Sequence, residues 1–212
     1  MYIPRRYEEK DKEKIHAFIR ENSFAILVSI HEGRPIGTHI PLQLETDAEG
    51  RDIFVGHISR GNEQKHTLID GAQVLAIFPG PHAYISPRWY TQMNVPTWNY
   101  LSVHAYGTIT IMEGEVLKAA LSRLIDNYEQ HLPEPVHIDE IPEKTLYDDL
   151  RGIVGFQITV TEYHAAAKLS QNRDEQSYQQ VIEHLDQGDE TTRAVAAEMQ
   201  ERCPHLFPPS SK

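Results

Sequence analysis

The segment from His57 to His66 gathers side chains that could grip a phosphate group. It offers a hydroxyl, a guanidinium, an amide and an ammonium group on Ser59, Arg60, Asn62 and Lys65. We interpret residues 62 to 69 as a short helix, whose free N–H groups and positive end would attract an anion. The alternative is structural: Asn62 caps the helix and the cations are solvated. With only Gly61, the segment is neither a Walker loop nor a GxGxxG turn.

A second candidate region, residues 84 to 106, holds both tryptophans and four tyrosines. Two prolines keep its backbone extended, so Trp89 and Trp98 are presented on constrained segments. Flat rings beside the amide of Asn99 and the imidazole of His104 suit a planar heteroaromatic ligand, which combines stacking with a few directional hydrogen bonds. The same composition fits a hydrophobic minicore or a contact between two subunits.

The elements that must position these residues begin with an amphipathic helix over residues 6 to 21, with Ile15, Phe18 and Ile19 on one face. Four strands are predicted next, at residues 24–30, 36–44, 53–58 and 74–78. In the second strand Pro41 removes a ladder donor, which implies a sheet edge, a bulge or a place where something other than a neighbouring strand occupies the polar side. His39 lies on the polar face of that strand and is a candidate ligand contact.

In the second half of the chain, residues 103–111 and 153–160 are predicted strands, and residues 115–128 a helix. Its expected core positions are Val116, Ala119, Ala120, Leu124 and Tyr128. Residues 132–142 contain three prolines and are expected to be mostly loop. Many strands in hairpin-like succession with added helices predict an α+β protein, an antiparallel barrel or sandwich.

Two helices are expected to close the chain, at residues 175–186 and 190–202. The first carries Tyr178, Val181, Ile182 and Leu185 on one stripe. The tail after Cys203 is rich in proline and serine, which predicts disorder. Cys203 is the only cysteine, so neither an intrachain disulfide nor a cysteine-based zinc cluster is available.

The charge balance argues against a DNA-binding surface. The chain has 31 acidic and 20 basic residues, a net charge of −11. Residues 126–149 and 174–201 each hold eight acidic residues and one basic residue, which leaves 18 basic against 15 acidic elsewhere. The part left to hold an anionic cofactor is therefore mildly basic. The terminal helix pair is the only helix-turn-helix candidate, and it lies in an acidic segment, so direct DNA binding is doubtful.

No run of about 20 apolar residues predicts a membrane helix, and no signal peptide is evident, so we expect a cytoplasmic protein without a membrane partner. The histidines could in principle hold a metal or haem. His82, His104 and His164 lie nearest the candidate regions, but none has metal-ligand spacing and no carboxylate pair accompanies them. We therefore predict no metal site.

Several sequence motifs occur in order across most of the chain. They are MYIPRRY at 1–7, THIPL at 38–42, H-x-x-R-x-N at 57–62, IFPGPHAYISPRWY at 77–90, VPTWNY at 95–100, VHAYG at 103–107 and KLSQN at 168–172. Together they resemble the PaiB family of FMN-binding transcriptional regulators. The resemblance implies an antiparallel split β-barrel of the pyridoxamine-phosphate-oxidase type, with peripheral and C-terminal helices. It also implies a homodimer with flavin bound between subunits.

The resemblance also implies a set of cofactor-binding residues and a domain plan. The FMN-binding residues would be His39, His57, Ser59, Arg60, Asn62, Lys65, Trp98, Asn99, Lys168, Ser170, Gln171 and Asn172. Glu63 and Lys65 depart from the proline and the aromatic residue usual after the motif asparagine, and the loop from Thr91 to Asn94 is short. Residues 1–172 would form the FMN-binding domain, 173–203 a helical pair and 204–212 a flexible tail.

The family's described function is negative control of sporulation and degradative-enzyme production. Because the terminal helix pair is acidic, we expect this control to be indirect, through flavin binding or redox state. One alternative is a flavin-dependent oxidoreductase with an unknown small-molecule substrate, in which the flavin supplies the chemistry and no catalytic acid or base is needed. A second alternative is a haem-binding split-barrel protein.

Overall fold

The backbone forms eight strands and five α-helices over residues 1–206, the part of the chain that this computed structural model describes. The strands are β1 (Glu8–Glu9), β2 (Phe24–His31), β3 (Arg34–Pro41), β4 (Gln43–Thr46), β5 (Asp52–Ser59), β6 (Gln73–Ile85), β7 (Thr97–Met112) and β8 (Ile153–Lys168). The helices are α1 (Lys12–Glu21), α2 (Gly114–Glu129), α3 (Glu143–Arg151), α4 (Glu175–Asp186) and α5 (Glu190–Arg202).

Barrel closure follows from the order of the strands. The sheet runs β3-β2-β6-β7-β8-β5-β4, with β1 paired to β8. Its two edge strands, β3 and β4, are separated in the chain by Leu42 alone, so the sheet must curl until its edges meet. Gly56 on β5 leaves room for this closure, because a Cβ there would lie 2.7 Å from Leu42 Cδ2. The predicted α+β split barrel is confirmed.

The chain divides into two compact units. The first comprises residues 1–18, 79–103 and 164 onward, and the second comprises residues 19–78 and 104–163. In the first unit, α4 and α5 share one core with the ends of β6, β7 and β8. The predicted stripe on α4 is confirmed, because Tyr178, Val181, Ile182 and Leu185 are all buried. In the second unit, α2 packs Leu117 and Ala120 against Ile53 and Val55 of β5.

The first predicted helix is wrong at its start. Residues 5–7 form one 3-10 turn, and β1 pairs with Ala165 and Ala166 of β8. Helix α1 begins only at Lys12, because the Asp11 carboxylate accepts hydrogen bonds from the backbone N–H groups of Glu13 and Lys14 and so caps the helix there. The apolar face is confirmed: Ile15 and Ile19 are buried.

Three strands are longer than their sequence patterns predict. Strand β6 continues through Pro79 and Pro81, β7 begins at Thr97, and β8 runs on to Lys168. The β2–β6 register covers only Leu75 to Ile77, so the two prolines lie beyond that pairing, where a missing donor breaks no ladder bond to β2. Pro41 ends β3 at an edge of the sheet, as predicted, and splits the expected 36–44 strand in two.

The second helix is confirmed in extent but not in all its core positions. Ala120 and Leu124 are buried, whereas Val116, Ala119 and Tyr128 are exposed and Leu117 takes the inner position. Helix α3 follows the proline-rich loop, and no helix was predicted there. Of the predicted flexible tail, residues 204–206 form a 3-10 turn and residues 207–212 lie outside the described residues.

Candidate functional site

The predicted phosphate segment is a tight turn rather than a helix start. After β5 ends at Ser59, only four residues, Glu63–His66, form a 3-10 turn. The prediction of a helix over residues 62–69 is therefore wrong, and no helix dipole is available to attract an anion. The structural role of Asn62 is confirmed: its Oδ1 accepts from the Gln64 N–H at 2.9 Å, and its Nδ2 donates to Thr38 Oγ1 at 3.0 Å.

Gln64 anchors this turn to the barrel. Its side chain is fully buried, and Nε2 donates to the Leu27 carbonyl at 3.0 Å and to Ser29 Oγ at 2.9 Å. Ser29 in turn shares a 2.6 Å hydrogen bond with Thr67 Oγ1. The Gln64 Oε1 atom is buried without a hydrogen-bond partner. This buried network holds the Ser59–Asn62 loop in one position.

A cavity of about 650 Å³ in the second unit, here called the histidine cavity, collects part of the predicted site. Its walls include Thr38, His39, His57, Ser59, Asn62, Leu146, Asp148, Asp149, Leu150 and Gly152. The exposed His39 ring stacks on Phe24, with ring centroids 6.2 Å apart. Burial lowers the pKa of His57, so its imidazole is neutral near pH 7 and can both donate and accept a hydrogen bond.

Arg60 and Lys65 line a different cavity, of about 560 Å³, here called the basic cavity. Arg60 Nε donates to the Arg151 carbonyl at 2.9 Å, and Lys65 Nζ donates to the Arg60 carbonyl at 2.6 Å. The structure thus brings the phosphate candidates onto two walls: Ser59 and Asn62 on one cavity, Arg60 and Lys65 on the other. Leu150 lines both cavities.

Helix α3 supplies wall residues that sequence reasoning missed. Leu146, Asp148 and Asp149 line the histidine cavity, and Tyr147 and Arg151 line the basic cavity. The available signal was Pro142 before an acidic first turn, followed by leucines at an i, i+4 spacing. Nine helical residues with an acidic composition gave too short a pattern to separate from the preceding loop.

The remaining predicted residues cluster in the first unit, around the KLSQN turn. Ser170 is buried with φ +63°, and its hydroxyl donates to Asn99 Oδ1 at 3.1 Å. The fully buried Asn99 also donates to Met199 Sδ. Gln171 folds back, accepting from the Leu169 N–H and donating to the Ala167 carbonyl. Positive φ is strained for a non-glycine residue, and the surrounding hydrogen bonds hold Ser170 in this conformation. Such strained turns are common at functional sites.

Three side chains of this cluster reach the surface. Trp98 is 53% exposed, and its ring contacts those of His82 and Tyr84 at centroid distances of 6.1 and 5.9 Å. Asn172 accepts from the Tyr7 hydroxyl at 3.2 Å. Lys168 Nζ donates to Thr97 Oγ1, and burial, aided by the charge of Arg173, lowers the pKa of the Lys168 ammonium.

Comparison with known proteins identifies the family. The family model described as "Putative FMN-binding domain" matches residues 1–162. The chain is 42% identical over 201 residues to the Bacillus subtilis (strain 168) protein named "Protease synthase and sporulation protein PAI 2", and the match covers 95% of this chain and 97% of that protein. The chain therefore belongs to this FMN-binding family, and the resemblance to PaiB is confirmed.

Solved structures agree with this fold. The flavocytochrome Anf3 from Azotobacter vinelandii superposes with a TM-score of 0.60 at 16% identity, covering 84% of this chain and 78% of that one. The FAD and heme binding protein from Mycobacterium smegmatis gives 0.58 at 13% identity, covering 76% and 73%. At these identities the likeness extends to the fold only.

Residues 1–206 contain neither a metal-binding cluster nor a membrane-spanning helix. Among residues 1–206, no group of three or more histidine, cysteine, aspartate or glutamate side chains is placed to hold a metal ion. None of the helices in that part of the chain is both long and apolar enough to cross a membrane.

Proposed function

We propose that this protein is an FMN-binding regulator that controls protease production and sporulation negatively and indirectly, through its flavin. The observation that carries the proposal is the histidine cavity, where residues of two family motifs, THIPL and H-x-x-R-x-N, form one wall. The similarity to the Bacillus subtilis protein over nearly the whole of both chains supports the regulatory part.

The donors of the histidine cavity fit the uncharged parts of FMN. The imidazoles of His39 and His57 and the hydroxyls of Thr38 and Ser59 can bond to ring and ribityl oxygens, and the His39–Phe24 stack offers a flat face. Asn62 is a positioning residue, because its amide already bonds to the Gln64 N–H in the turn and to the Thr38 hydroxyl on β3. When bound, FMN supplies redox chemistry through its ring system.

The phosphate of FMN needs a cation, because Asp148 and Asp149 make the histidine cavity itself acidic. We assign this role to Arg60, which directly follows Ser59 and whose guanidinium uses only Nε in the described hydrogen bonds. Lys65 supports it by bonding to the Arg60 carbonyl. A guanidinium pairs with phosphate through charge-assisted bonds, the strongest hydrogen bonds in such a site.

In the first unit, Trp98, Lys168, Gln171 and Asn172 are proposed cofactor contacts through their accessible parts. Asn99 and Ser170 are buried against each other, so they would act by holding the turn that presents these side chains.

We further propose that the protein is a homodimer. Tyr84, Met93, Val95 and Trp98 are exposed apolar side chains of the first unit, and all are between 47% and 74% accessible. Exposed apolar side chains in one region favour a contact with another chain. A regulator that reads the flavin pool and alters transcription works in the cytoplasm, and we place the protein there.

Indirect action is supported by the environment of α5. Of its two arginines, Arg202 pairs with Glu9 at 2.8 Å, and Arg193 donates to the Gly188 carbonyl at 2.7 Å. Val195, Ala196 and Met199 are buried in the core of the first unit. A recognition helix needs several free cations facing phosphates, whereas α5 carries Glu190, Glu198 and Glu201 and only Arg193 outside a carboxylate pair.

The test is a titration of the purified protein with FMN and with riboflavin, followed by visible absorbance and flavin fluorescence. Arg60→Ala should weaken FMN binding about tenfold or more, as expected for one charge-assisted bond, and leave riboflavin binding nearly unchanged. Arg34→Ala removes an exposed arginine that lines neither cavity and is the matched control.

Equal losses for FMN and riboflavin would contradict the Arg60 assignment, and no binding at high micromolar FMN would contradict the cofactor proposal. Two further assays address the mode of action. Oxidation of a reduced nicotinamide by the FMN-loaded protein with steady turnover would favour the oxidoreductase alternative. Tight, sequence-selective DNA binding in a mobility-shift assay would refute indirect action.

A further inference from the structure

The basic cavity collects more positive charge than a flavin phosphate requires. Its walls carry four lysine and arginine side chains against two acidic ones, although the whole chain has a net charge of −11. The basic residues are Arg60, Lys65, Lys118 and Arg151, and the acidic ones are Glu113 and Glu115. Of these, only Arg60 belongs to a motif that resembles the flavin family.

These charges have few partners inside the protein. Within residues 1–206, no ion pair joins Lys118 or Arg60 to a carboxylate, and Lys65 bonds only to a backbone carbonyl. The Arg151 guanidinium lies over the Tyr147 ring, 5.6 Å from its centroid, which leaves its N–H groups available. The lysine and arginine side chains outnumber the two glutamates of the cavity, so repulsion between like charges remains, and an anion in the cavity would relieve it.

The floor of the same cavity is apolar. Leu68, Met112, Leu117, Leu150 and Val154 line it, and the Tyr147 ring adds a flat surface at the rim. A volume of about 560 Å³ lies in the range of small-molecule sites, and an apolar floor under a few charged groups is their usual composition. Inorganic phosphate would bind the cations but leave the apolar residues exposed to water. The lining therefore fits a molecule with an apolar body and one anionic group.

We propose that the part of the basic cavity beside Lys118 and Arg151 is a second ligand site, distinct from the flavin phosphate position at Arg60, for an amphipathic organic anion: a phosphate or carboxylate on an aromatic or aliphatic body. The anionic group meets Lys118 and Arg151, and the body covers Leu117 and Leu150. Because Leu150 also lines the histidine cavity, the two sites share a wall of the second unit.

The probe is 1-naphthyl phosphate, titrated by calorimetry into the full-length protein with and without saturating FMN. We expect binding in both conditions, weaker binding of neutral 1-naphthol and of inorganic phosphate, and affinity that falls as salt rises. Lys118→Gln should weaken the probe about fivefold, the scale of one partly exposed charge contact, and Lys118→Gln combined with Arg151→Gln should weaken it further.

Lys144→Gln is the control, because Lys144 is an exposed lysine of α3 that lines neither cavity. Urea unfolding checks that each variant is folded, and an FMN titration of Lys118→Gln should match the parent protein. The proposal is wrong if the probe does not bind, if saturating FMN displaces it, or if Lys118→Gln and Lys144→Gln bind it equally. Because FMN binding is measured separately, its failure would leave the result for the basic cavity interpretable.

Discussion

Replacing Gln64 tests whether a buried amide holds the Ser59–Asn62 loop on the barrel. Gln64→Met keeps the length of the side chain and removes the two short hydrogen bonds from Nε2 to the Leu27 carbonyl and Ser29 Oγ. At about 1 kcal/mol net for each bond, the loss is about 2 kcal/mol. It is reduced by up to about 1 kcal/mol because the buried, unpartnered Oε1 atom is removed as well.

The net expectation is therefore a decrease of about 1–2 kcal/mol in the free energy of unfolding, measured by urea denaturation at neutral pH. Gln64→Ala should lose more, about 3 kcal/mol in total, because truncation at a fully buried position also leaves a cavity. Gln73→Met, at an exposed glutamine of the same unit, is the matched control and should change stability by less than about 0.5 kcal/mol.

Hydrogen exchange adds a local readout. The Gln64 and Thr67 N–H groups belong to the turn, bonding to Asn62 Oδ1 and to the Gln64 carbonyl, and they should lose protection in Gln64→Met before the sheet does. If Gln64→Met is as stable as the Gln73→Met control, the amide contributes no net stability, and the buried network is not what holds the loop.

Two further predictions concern pH and packing. Because burial lowers the pKa of His57 in the folded state, the unfolded chain binds the extra proton first, so stability should fall as pH drops below about 6.5, the ordinary histidine value. In urea titrations at several pH values, His57→Gln should flatten that slope, and an unchanged slope would refute the assignment. Gly56→Ala should lower the melting temperature through an overpacking cost of about 1–3 kcal/mol, because its Cβ would meet Leu42. Gly37→Ala, where the nearest atom is an ordinary 3.6 Å away, should lose far less, and equal losses would contradict the closure argument.

The sequence was most informative where an element is defined by its own periodicity. The α4 stripe and the bounds of the last two helices were predicted correctly, because amphipathic spacing and Asp174 and Asp189 before the helices are local signals. Pro41 indicated the sheet edge, because its missing N–H donor is also a local signal. The ends of β6, β7 and β8 were not predicted, since the length of a strand depends on the partners that the fold brings beside it.

The candidate site shows the same division between local and tertiary information. Residue chemistry marked Ser59, Arg60, Asn62 and Lys65, but only the structure shows that neighbours along the chain face different cavities. Successive side chains at the end of a strand point to opposite sides, so residues that were predicted to form one phosphate site line two different cavities. The helix dipole was wrongly predicted because the turn that begins at Asn62 stops after four residues, where the Thr67 N–H and hydroxyl both bond to the Gln64 carbonyl.

Helix α3 has a consequence for how the flavin site would work. It contributes two aspartates to the histidine cavity, and Tyr147 and Arg151 to the basic cavity. Part of the acidic charge that disfavours DNA binding therefore lies beside the proposed flavin site. Negative charge there would stabilise the oxidised flavin ring relative to the anionic reduced form. An acidic insert can therefore serve a flavin protein in a way that the net charge of the chain does not reveal.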